Sequence, residues 1–113
     1  MKLKFIIKKI LYSYKSSSKT YVDYLRNIGV LCGDNINIFC PKDTHIDTNN
    51  PYLLEIGNSV NMTGPVTILT HDYSTSVLNR IDSKIYGKSK KTVIGNNVFL
   101  GWGCTVLAGT VIE

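Results

Sequence analysis

At 113 residues, with a net charge of +5 and 43 % hydrophobic residues, the chain has room for one small domain and not for two. Its three cysteines, Cys32, Cys40 and Cys104, are too widely spaced for a disulfide framework or a zinc site. They point to a reducing compartment, so a cytoplasmic location is expected. No stretch approaches the ~20 apolar residues of a membrane span, and no aromatic-and-basic platform or reader motif points to nucleic acid.

Residues 1–27 read as a basic helical leader. The first 20 residues carry six lysines and no acid, while the remaining seven basic residues are balanced by eight acids. Leu3, Phe5, Ile6, Ile7, Ile10, Leu11 and Tyr14 form an apolar face beside Lys2, Lys4, Lys8 and Lys9. Lys8-Lys9 interrupts what a cleavable signal would need as an unbroken apolar stretch. Such a helix is expected to pack over an open end of the fold, and residues 1–15 also allow weak contact with an anionic membrane surface. Ser16-Ser17-Ser18 then separates it from a second short helix at about 19–27.

Residues 28–113 follow a different rule. Aliphatic residues recur six apart at Ile94, Leu100, Val106 and Ile112, at Ile56, Met62 and Ile68, and at Cys32 and Ile38. Gly follows directly at Gly33, Gly57, Gly95 and Gly101. Six fits neither a 3.6-residue helix nor a hairpin strand; it is the period of a parallel β-helix with one short strand and one turn per hexad. Four residues after each hexad start stand Ile36, Val60, Val66, Val98, Cys104 and Thr110, a second inward position. Gly and Asn at the turns are expected to supply left-handed backbone. Three hexads close a triangular coil that climbs about 4.8 Å, with the residues at 56, 62, 68, 94, 100 and 106 buried in columns. Residues 39–55 do not keep the repeat, and His45 there reads as a surface or interface histidine. Residues 74–93 are surplus to it and form an inserted loop, where Arg80, Lys84, Lys88, Lys90 and Lys91 face only Asp82.

The segment His71-Asp72-Tyr73-Ser74, placed where the hexads yield to the loop, is followed by Ile94-Gly95-Asn96-Asn97-Val98-Phe99-Leu100-Gly101. In this the chain resembles the hexapeptide-repeat acyltransferases over about residues 25–113. It is most similar to the branch of sugar and polysaccharide O-acetyltransferases and serine acetyltransferase. The resemblance implies an all-β fold, a left-handed parallel β-helix with an N-terminal helical segment. Only the resemblance implies the hand, which runs against the usual right-handed crossover. It also implies a homotrimer that binds acetyl-CoA, the acyl donor, between neighbouring subunits and acetylates a hydroxyl of a small-molecule or polysaccharide acceptor.

His71 matches the family's catalytic histidine, a general base that takes the acceptor's proton. Gly101 and Trp102 match the family's thioester site, where the Trp102 N–H would receive the oxyanion. Asp72 reads as a cap on the turn into the loop. Cys104 faces inward, which argues against a nucleophilic role, and no metal is implied. Family members run on through further coils, whereas the sequence stops at Ile112-Glu113. A truncated, non-catalytic fragment or assembly module is therefore the alternative expectation.

Overall fold

The computed structural model describes residues 2–72, 74–82 and 89–113. Tyr73 of the His-Asp-Tyr-Ser segment and Lys84 and Lys88 of the basic insertion lie outside them. Among the described residues no helix is long and apolar enough to cross a membrane.

Among the described residues, ten short strands form three parallel sheets that the chain visits in cyclic order. The first sheet holds β1 (Leu31–Cys32), β4 (Leu54–Ile56), β7 (Thr92–Ile94) and β10 (Val111–Ile112). The second holds β2 (Ile36–Ile38), β5 (Val60–Met62) and β8 (Val98–Leu100), and the third β3 (His45–Ile46), β6 (Thr67–Ile68) and β9 (Thr105–Val106). Three stacked sheets of this order fit a parallel β-helix.

The hexad columns appear as register. Cys32 pairs with Ile56, Ile56 with Ile94 and Ile94 with Ile112; Ile38, Met62 and Leu100 stack in the second sheet. All six residues expected to be buried are at most 3 % exposed. Burial of such a side chain contributes about 1.5–3 kcal/mol, and here each column repeats it once per coil.

Residues 39–55 belong to the coils although they do not keep the hexad spacing. Ile46 continues the column of Ile68 and Val106. The repeat is hidden because a 3-10 turn at Pro41–Asp43 lengthens that side to eight residues. His45 accordingly pairs in register with Thr67, its side chain exposed.

The turn glycines also act differently from expectation. At Asn35, Ser59 and Asn97, not at the glycines before them, φ is 57–59°. Gly33, Gly57 and Gly95 are required by stacking: a Cβ on Gly57 would sit 2.5 Å from Asn96 Oδ1 and 2.6 Å from Gly95 O. Between these turns the Asp34 N–H donates to Asn58 Oδ1 and the Asn58 N–H to Asn96 Oδ1, each at 2.7 Å.

The all-β expectation is too narrow, because among the described residues three α-helices accompany the sheets. Helix α1 spans Lys2–Tyr12, α2 spans Ser18–Ile28 and α3, within the insertion, spans Thr75–Asp82. It is α2 that covers the coil. Ser17 and Thr20 form a capping box at its start, and Gly29, φ 113°, ends it. Tyr21, Val22 and Leu25 are buried. Polar groups on the edge of the first coil find partners there: the Ile38 N–H donates to Ser18 Oγ (2.9 Å), and Arg26 donates to Gly33 O (2.5 Å). Thr44 O accepts from Lys15 Nζ (2.9 Å) and Tyr21 Oη (3.2 Å), and burial pushes the Tyr21 hydroxyl up to about 12. No residue of α1 is buried, so it does not pack over the coil as its sequence led us to expect.

Candidate active site

After β6 the chain passes buried Thr70 and reaches His71. One coil earlier, after β3, it reaches Asp47 at the same corner; the pairing of Ile46 with Ile68 stacks the two segments. Asp47 Oδ2 accepts the Thr70 N–H (3.1 Å) and the Thr70 hydroxyl (2.8 Å), and contacts His71 Nδ1 in a short hydrogen bond. Asp47 Oδ1 accepts the Asn49 N–H at 3.0 Å. The Asp47 side chain is 5 % exposed and that of His71 38 %. Burial alone would raise the Asp47 pKa. The hydrogen bonds from Asn49, His71 and Thr70 outweigh that burial and hold the carboxyl down at about 2.

Asp47 is therefore a carboxylate at neutral pH. With the carboxylate as acceptor, the contact selects the tautomer that carries its proton on Nδ1, and among the described residues Nε2 has no partner. His71 lines a shallow groove with Tyr14, Lys15, His45, Asp47 and Leu69. The chain returning from the insertion runs beside this segment: Ser89 forms an antiparallel bridge with His71, and the Lys90 N–H donates to Thr70 O at 2.8 Å. Thr92 Oγ1, buried at the start of β7, donates to Leu69 O at 2.7 Å.

Asp72 stands as the sequence indicates: exposed, it accepts the Ser74 N–H at 2.8 Å and caps the turn into α3. That backbone bond lowers its pKa. Among the insertion's basic residues, Arg80 is exposed on α3, the Lys90 side chain lies over Gly109, and Lys91 pairs with Glu55 at 2.5 Å. The three thiols are unpaired with one another, and Cys104 packs against the core.

Gly101 and Trp102 lie in the turn from β8 to β9. The indole rests on the previous coil, where a Cβ on Gly64 would fall 2.6 Å from Trp102 Cε3, and it is 78 % exposed. The Gly103 N–H donates to Pro65 O at 2.9 Å, whereas among the described residues nothing accepts the Trp102 N–H. A Cβ on Gly103 would meet nothing within 4 Å, and one on Gly101 only Phe99 Cε1 at 3.5 Å. The turn thus presents an open, unpaired donor. Along the chain it lies before the third sheet, while His71 follows a strand of that sheet. The two are not brought together.

Asp47 is the member of this hydrogen-bonded cluster that sequence reasoning missed. Its signal was Thr44-x-Ile46, which mirrors Val66-x-Ile68 and Cys104-x-Val106 but sits eight residues from Ile38 instead of six.

No protein-family model and no solved structure matches the chain. Protein CapG of Staphylococcus aureus is 33 % identical to it over 87 residues, which cover 77 % of this chain and 49 % of that protein. The chain spans about half the length of the curated relative it matches.

Proposed function

We propose that the chain is an acetyl-CoA-dependent O-acyltransferase acting on a hydroxyl of a sugar or polysaccharide, built as a left-handed β-helix and working as a homotrimer. The observation that carries this reading is His71, held through Nδ1 by a buried carboxylate, with Nε2 unpartnered among the described residues. The acceptor hydroxyl attacks the thioester carbonyl while His71 Nε2 takes its proton. Asp47 keeps the ring in that tautomer and stabilises the imidazolium that forms. The partner subunit's Trp102 supplies its N–H to the oxyanion, which is why the separation of His71 and Trp102 in one protomer calls for a neighbour. Collapse of the tetrahedral intermediate breaks the C–S bond, and the departing thiolate takes the proton from His71. Gly101 and Gly103 leave open backbone beside the donor, which suits an incoming thioester. Drawing on acetyl-CoA, the proposed reaction belongs in the cytoplasm, and three unpaired thiols are in keeping with that.

The test is thiol release from acetyl-CoA with a panel of sugars and polysaccharides, read with the mass of the acceptor. Acceptor-dependent release with a gain of one acetyl group is expected. A folded, trimeric chain that releases no thiol with any acceptor would contradict the reading. The same separation of His71 and Trp102 favours a second reading, a non-catalytic assembly module. A folded, self-associating chain without thiol release would support it.

A further inference from the structure

Helix α1 presents an apolar stripe that no described residue buries. Leu3, Ile6, Ile7, Ile10 and Leu11 follow the i, i+3, i+4, i+7, i+8 spacing of one helical face. These five side chains are 46–76 % exposed. Lys2 and Lys4 border the stripe on either side by helical geometry. Lys8 and Lys9 occupy the opposite face, and Phe5 lies there with them instead of on the apolar face where its sequence led us to expect it; Lys9 Nζ lies 6.0 Å from the Phe5 ring centroid. No acid appears before Asp23.

We propose that α1 lies in the plane of an anionic phospholipid bilayer, its five-residue stripe in the acyl boundary and its lysines at the headgroups. Charge complementarity selects this occupant. Lysines that border an apolar face can extend their stems along it and leave their ammonium groups among phosphates. A second copy of the same helix would instead bring like-charged borders together. The following 3-10 turn, Ser13–Ser16, carries Tyr14 and Lys15 onto the wall of the His71 groove. A membrane-bound α1 therefore sets that groove beside the lipid surface, and this placement does not depend on the proposed chemistry.

The full chain is sedimented with vesicles of phosphatidylcholine alone or mixed with phosphatidylglycerol. Retention by the mixed vesicles, at least about tenfold stronger than by neutral ones and weakened by salt, is expected. Ile6→Glu with Ile10→Glu should abolish retention without moving the thermal midpoint, since no α1 residue is buried. Lys4→Glu with Lys8→Glu, which leaves the stripe intact, should weaken it by about tenfold or more. Absence of retention by the mixed vesicles would overturn the proposal, as would equal retention of the wild type and the Ile6→Glu, Ile10→Glu variant. Self-association that this double variant disrupts, without vesicle binding, would identify the stripe as a contact between copies and equally overturn it.

Discussion

Two corners of the coil obey opposite rules. The corner from the first sheet to the second is nearly the same in every coil: Gly33-Asp34-Asn35, Gly57-Asn58-Ser59 and Gly95-Asn96-Asn97. Each places its third residue at positive φ and stacks so closely that a Cβ on the glycine would collide with the coil above. The corner from the third sheet back to the first never repeats. Ile46 to Ile56 takes ten residues, Ile68 to Ile94 takes twenty-six, and Val106 to Ile112 takes six. The difference teaches where chemistry can be placed on a solenoid. A corner bound by backbone stacking has no room for a reactive side chain, whereas one free to vary holds His71 over Asp47.

Substitutions can sharpen that contrast. The largest effect belongs to the core behind both corners: Met62→Asp, at a fully buried position, should cost several kcal/mol and prevent soluble expression, because it buries an unpaired carboxylate. At the tight corner, Gly57→Val should cost about 3 kcal/mol, since its Cβ meets backbone that cannot move aside. Chemical unfolding would measure it, and an unchanged midpoint would undo the stacking account.

At the variable corner the effect depends on pH. The Asp47 carboxyl is held at about 2 in the fold against an ordinary 3.8, so its contribution is fully present above pH 3.8 and lost as pH falls through about 2. That contribution is about 2 kcal/mol. Asp47→Asn should remove this part of the acid slope in unfolding curves taken across that window. Asn58→Ala, which removes one exposed rung of the corner ladder, should cost about 1 kcal/mol.

The tight corner was legible in the sequence, although for a different reason than stacking. The hexads locate it because the stacked hexad starts are apolar, and the glycines mark it. Their role was misread because a period reveals where a residue stands and not what the coil above brings against it. The variable corner was half legible. His71 stood out by its segment, but Asp47 belongs to a side lengthened by the Pro41–Asp43 turn, and a register broken by two residues conceals which side chains stack. The helices teach the same limit. Both α1 and α2 are amphipathic over 11 residues, yet only α2 carries polar groups, Ser18 and Arg26, that match the coil's edge.

The central claim is that His71 is the base at the variable corner. His71 and His45 line the same groove, but only His71 contacts Asp47. The decisive measurement compares acceptor-dependent thiol release by His71→Ala and His45→Ala, each with an unchanged circular dichroism spectrum. The account predicts a loss of roughly 10²–10⁴ for His71→Ala and little change for His45→Ala. Full activity in His71→Ala, or equal losses in both variants, would contradict it.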